Sequence, residues 1–118
     1  MLFRSHDNTI SLAGKWLAKE TKYHNARILT NDMRIPFYAG RKLYSNHEKD
    51  LLQYGNELHN HEEMERFATV NQVDLIILKF SHSEKELLPT FEHFIKVKQF
   101  SGKKRIVVIY RSQEFLKN

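Results

Sequence analysis

The sequence predicts a single α/β domain. Its mixed, mostly parallel sheet has about five strands, with helices on its faces and an antiparallel hairpin at its C-terminus. Three observations predict it. Apolar residues recur at helical spacing over 8–20 and again over 61–70. Leu75-Ile76-Ile77-Leu78 is an unbroken apolar run, as expected of a central strand covered on both faces. Lys96 to Phe100 and Arg105 to Arg111 flank the turn residues Ser101-Gly102, the pattern of a hairpin.

The elements follow in order. Ile10, Ala13 and Leu17 line one stripe of a first helix, with Leu12 and Trp16 beside it and Asp7, Asn8 or Thr9 as its cap. Trp16 reads as a core anchor. Ala26 to Thr30 is a short strand. Asn31-Asp32 breaks it, and Pro36 suits the first turn of a short helix over 33–38 that Gly40 ends in a left-handed conformation. Lys42 to Ser45 reads as a second strand. No clear period marks 46–58. Asn60 and Glu63 form a capping box for a helix over 61–70, with Met64, Phe67 and Ala68 inward. Val73 to Phe80 is the strongest strand. Ser83 and Glu86 suggest another capping box, opening a helix through Leu87, Leu88, Phe91, Phe94 and Ile95 that Pro89 kinks or restarts. Ser112 to Asn118 is a tail.

At 118 residues the chain fits one domain, 1–118, able to fold without staples. It has no cysteine, so disulfides and thiolate chemistry are excluded, and a zinc site would need His and carboxylate alone. The net charge of +5 points to phosphate or anionic headgroups as candidate partners. The densest basic run, Lys103-Lys104-Arg105, is short and in a turn, so nucleic acid is not the expected partner. No window approaches the ~18 apolar residues of a membrane span, and the N-terminus lacks a signal-peptide core.

Several catalytic chemistries find no support. There is no Gly-x-Ser-x-Gly elbow, no phosphate-cradling glycine loop and no spacing that points to a carboxylate pair. His59, His61, Glu62 and Glu63 invite a metal reading, but His-x-His before a helix diverges, and the carboxylates suit a helix first turn. No catalytic residue, metal or cofactor is therefore assigned. The one suspicious stretch is ILTNDMRIPFYAGR, residues 28–41, at the carboxyl end of the first strand, where open α/β sheets usually bind ligands. Asn31 and Asp32 suit sugar hydroxyls or a cation, Arg34 and Arg41 suit phosphate, and Tyr38 suits a sugar ring. The plainer reading has Asn31 or Asp32 capping the short helix, Phe37 and Tyr38 packing in the core, and Gly40 turning the chain.

SLAGKWLAKET, NARILTNDMRIPFYAGRKLY, VDLIILKF and FEHFIKVKQFSGKKRIVVIYR come in an order and spacing that resembles one family. It is the soluble C-terminal domain of multi-spanning membrane glycosyltransferases, the dolichyl-phosphate-mannose–protein mannosyltransferase-like group that uses polyprenyl-phosphate sugars. The matching positions are Trp16-Leu17, Thr30-Asn31-Asp32, Tyr38-Ala39-Gly40-Arg41, Asp74 to Ile77 and Tyr110-Arg111, within about residues 9–111. The resemblance implies an extracytoplasmic domain attached to a membrane-embedded part of the same polypeptide. That part would hold the catalytic acid and the lipid-phosphate donor, so these 118 residues alone are expected not to transfer sugar. Asn31, Asp32, Arg34, Tyr38 and Arg41 would then help hold a glycan acceptor or a lipid-phosphate headgroup. The alternative is a stand-alone binding or interaction module, oligomeric through an edge of its sheet.

Overall fold

A computed structural model of the chain describes residues 8–40 and 60–115, with the backbone of 51–53. Helix α1 (Thr9–Lys19) buries Ile10, Ala13 and Leu17 along the predicted stripe, with Thr9 and Gly14 buried beside them. Trp16 packs half-buried against the rings of Tyr23 and Phe100. A 3-10 turn (Thr21–Tyr23) leads into β1 (Ile28–Thr30) and then α2 (Arg34–Tyr38). After the three-residue strand β2 (Leu51–Gln53) come α3 (His61–Val70) and β3 (Leu75–Ser81). A second 3-10 turn (His82–Leu87) precedes the hairpin of β4 (Phe94–Ser101) and β5 (Arg105–Ser112).

The sheet order is β2-β1-β3-β5-β4. β1 pairs in parallel with β2 and β3 over three residues each, Ile28 lying opposite Leu51 and Leu75. The long ladders are antiparallel: Leu75 to Ser81 of β3 pairs with Arg111 to Arg105 of β5, and β4 pairs with β5 along its length. The sheet is therefore mixed rather than mostly parallel. The hairpin does not merely append an edge; it places β5 directly beside the central strand β3, so antiparallel pairing dominates. Four strands make the body of the sheet, and β2 adds a short backbone pairing at one edge. The strand expected over 42–45 lies outside the described residues, as does Arg41.

Alternation at period two sends β-strand side chains to opposite faces. Leu29, Ile76, Leu78, Phe80, Ile106, Val108 and Tyr110 join Met64 and Ala68 of α3 in one core. Ile28, Leu75, Ile77, Val107 and Ile109 join Ile10, Ala13 and Leu17 of α1 and Ile35 of α2 in the other. β3 is thus covered on both faces, as its unbroken apolar run predicted.

Asn60 caps α3, accepting from the Glu63 N–H at 3.0 Å and donating to its carboxylate at 3.1 Å. The helix ends in a Schellman motif. Val73 N–H donates to the Ala68 carbonyl at 2.9 Å and Gln72 N–H to that of Thr69 at 3.1 Å, with Gln72 at φ 56° where glycine is usual.

The helix expected from Ser83 to Ile95 does not form. Ser81 and Glu84, not Ser83 and Glu86, make the capping box, and it opens only the 3-10 turn. Extended chain follows, and Phe94 and Ile95 begin β4. Leu88 and Phe91 still pack on the core, but from that extended segment. The buried Tyr110 hydroxyl donates to the Pro89 carbonyl at 2.8 Å and anchors the segment there; burial pushes its phenol pKa up.

Candidate functional site

The corner that joins β1 to α2 is built from short-range hydrogen bonds with one long-range tie. Thr30 is fully buried at the end of β1. Its hydroxyl donates to the Asp32 carbonyl at 3.2 Å and accepts from the Asp32 N–H at 3.1 Å. Asn31 turns its amide back onto the sheet. Its Oδ1 accepts from the Lys79 N–H at 2.8 Å, and its Nδ2 donates to the Lys79 carbonyl at 3.0 Å. The side chain thus copies a peptide group and extends the β1–β3 pairing past the point where β1 leaves the sheet.

Asp32 is 7 % exposed, and both of its carboxylate oxygens are engaged. Oδ1 accepts from the Arg34 backbone N–H at 3.0 Å and from Arg34 Nε at 2.9 Å, and Oδ2 accepts from an Arg34 terminal nitrogen at 2.6 Å. Burial pushes the carboxyl pKa up. The Arg34 hydrogen bonds, with the charges of Arg34 and Lys79, outweigh burial and leave it below its ordinary value. The Arg34 side chain is 55 % exposed, so the ion pair adds about 1 kcal/mol or less. Its larger effect is geometric, because it fixes the guanidinium at the surface.

Helix α2 then runs for five residues. Pro36 falls in its first turn, where its missing N–H leaves no bond unmade. Ile35 is completely buried and pins the helix to the α1 core. Gly14 of α1 permits the close approach: a Cβ there would collide with the Tyr38 Cβ and meet the Ile35 carbonyl oxygen at 2.9 Å. Gly40 ends the turn at φ 81°, its N–H donating to the Phe37 carbonyl at 3.0 Å.

The Asp32 carboxylate takes the Arg34 N–H just ahead of α2, whose N-cap position is Met33 with no side-chain bond, and Gly40 makes the expected turn, but Phe37 and Tyr38 do not pack in the core. They are 59 % and 48 % exposed and meet each other edge to face at 5.8 Å. The structure therefore brings Asn31, Asp32, Arg34 and Tyr38 into one corner. Arg34 and Tyr38 face solvent, while Asn31 and Asp32 have their polar atoms committed to the protein. Gly14 and Lys79 belong to the same arrangement and were not singled out by the sequence. The Gly14 approach to residues 35–38 depends on tertiary packing, and the Lys79 contact spans 48 positions.

A cleft of about 430 Å³ lies at the opposite end of the sheet, lined by Gln72, Val73, Asp74, His93, Phe94 and Gln113. Its two hydroxyls bond locally: Thr69 donates to the Glu65 carbonyl at 2.9 Å, and Ser112 accepts from the Glu114 N–H at 3.2 Å. Its Asp74 carboxylate accepts from the Arg27 N–H at 2.8 Å, a link between strand starts. Among the described residues, no three His, Asp or Glu side chains are grouped to hold a metal ion, and His59 lies outside them. Among the same residues, no helix is long and apolar enough to cross a membrane.

Comparisons with family models, with curated proteins and with solved structures find no match.

Proposed function

We propose that this chain is the extracytoplasmic domain of a membrane glycosyltransferase that draws its sugar from a polyprenyl-phosphate donor. Chemistry takes place in a membrane-embedded part of the same polypeptide. The corner over 30–41 positions the glycan acceptor or the donor headgroup. The sequence resemblance suggests this class, and one structural observation supports the role: an exposed aromatic pair and an exposed guanidinium stand on a corner held rigid from beneath. Aromatic faces pack on the C–H surface of sugar rings, and a guanidinium suits phosphate. Asn31 and Asp32 serve this role by holding the corner, because their polar atoms are already engaged.

The alternative of an oligomer paired through a sheet edge is opposed by β4. That edge strand carries exposed Lys96 and Lys98 and a bulge between them, features that discourage strand addition.

The test is sugar transfer in membranes of source cells whose chromosomal copy carries Phe37→Ala and Tyr38→Ala. We expect transfer from the lipid-phosphate donor to fall by about tenfold or more, the loss of roughly one good contact, with the protein's amount unchanged on a blot. Unaltered transfer at normal abundance would remove the corner from the reaction.

A further inference from the structure

We propose that the end of the sheet bearing this corner docks on an anionic lipid bilayer, through the aromatic pair and the tip of the β4–β5 hairpin together. β3 runs parallel to β1, and β5 runs antiparallel to β3. The turn over 102–104 therefore emerges at the same end of the sheet as residues 31–40. Since β1 and β5 flank β3, the two features stand about 10 Å apart across the sheet; Thr30 is level with Ile77 and Arg105 with Ser81, so the hairpin tip also reaches four residues, roughly 13 Å, further along the strands.

This end is rich in cations. Lys103 and Lys104 are exposed at the hairpin tip, followed by Arg105. The His82 N–H donates to the Lys104 carbonyl at 2.8 Å and ties the tip to the 3-10 turn that carries exposed Lys85. Asn31 grips the backbone of Lys79 beside the corner, and Arg34 is exposed on it. Asp32 offsets Arg34, and Glu84, which accepts from the Ser81 N–H and hydroxyl, and exposed Glu86 stand against Lys79, Lys85, Lys103, Lys104 and Arg105. Glu62 and Glu63 begin α3 on the opposite face of the sheet from α2. The other end mixes Asp74, Glu92 and Glu114 with Arg27 and Arg111. Among the described residues, the cations at this end therefore outnumber the acids named beside them.

The aromatic pair favours a bilayer over a nucleic acid. Phe37 and Tyr38 cross at 70°, so they offer no parallel platform for successive bases. Two exposed rings flanked by cations match the headgroup level of an anionic membrane, where rings partition and each nearby Lys or Arg strengthens binding. This docking does not depend on the transferase reading, since it concerns the isolated chain and needs no sugar chemistry.

The test is sedimentation of the 118-residue chain with vesicles of mixed phosphatidylglycerol and phosphatidylcholine, of phosphatidylcholine alone, and with a single-stranded oligonucleotide as competitor. We expect binding to the anionic vesicles only, weakened at least tenfold between about 50 and about 500 mM salt as charge screening tightens. Lys103→Glu with Lys104→Glu should lower binding at least about tenfold, and the milder pair Lys103→Gln with Lys104→Gln should move it in the same direction. Phe37→Ser with Tyr38→Ser should weaken binding while the salt dependence persists. Circular dichroism verifies that each variant is folded. The proposal is overturned if anionic vesicles are not bound at low salt, if the folded variants of either set bind undiminished, or if the oligonucleotide binds more tightly than the vesicles.

Discussion

Asp32 organises its corner because three donors converge on a carboxylate that water scarcely reaches. Its folded pKa lies below its unfolded one, which is about 3.9. Between those values the unfolded chain binds more protons, so stability rises with pH there. The contribution is fully present above the unfolded pKa and is lost as pH falls through the folded one. Thermal melts should therefore show Asp32→Asn costing about 1–2 kcal/mol at neutral pH and flattening the loss of stability below about pH 4. An unchanged acid limb in the variant would deny Asp32 this role. The Asp32 bond to the Arg34 N–H is of the local kind that a sequence shows, since the two residues lie two positions apart. The Asn31 clasp on Lys79 was not, since its partners are 48 positions apart and any strand could have supplied the peptide group. The exposure of Phe37 and Tyr38 was also hidden. Local pattern treats two large rings beside Ile35 as core, but Phe37, two positions on, falls on the far side of α2 from buried Ile35, and Tyr38 is about half exposed.

Helices α1 and α2 approach most closely at Gly14, beside the Ile35 side chain buried in the α1 core. In an isolated helix, Gly14→Ala would gain about 1 kcal/mol of helix propensity. Here the added methyl meets the backbone and Cβ of α2, neither of which is the far end of a flexible chain. Chemical denaturation should show a net loss of about 1–3 kcal/mol from overpacking, and Tyr38 should change its exposure to quenchers. A stabilised variant would show that α2 is free to slide.

The helix over 61–70 was legible from its period and its Asn60 cap, the helix over 9–19 from its period alone, since Asn8 makes no side-chain cap bond, and the strands β1, β3, β4 and β5 from their apolar runs and turn residues. The helix expected after Ser83 failed for a physical reason. Leu87, Leu88, Phe91, Phe94 and Ile95 match helical spacing by accident, spread over three conformations. Pro89 was the sign that the pattern breaks, and the Tyr110 hydroxyl holds its carbonyl in the extended segment.

The molecule as a whole has two unlike ends. One carries the aromatic corner and the basic hairpin tip, and the other a shallow cleft among mixed charges. The proportion of parallel to antiparallel pairing could not be read from element order, because it depends on where the final hairpin enters the sheet. Its entry beside β3 brings the Lys-Lys-Arg turn to the same end as the corner. That placement agrees with a domain working against a membrane surface. The most direct measurement is a blot of fractionated source cells with an antibody raised to this chain. The account predicts a membrane-fraction band well above 14.1 kDa, the mass of these residues alone. A band near that mass in the soluble fraction would contradict it.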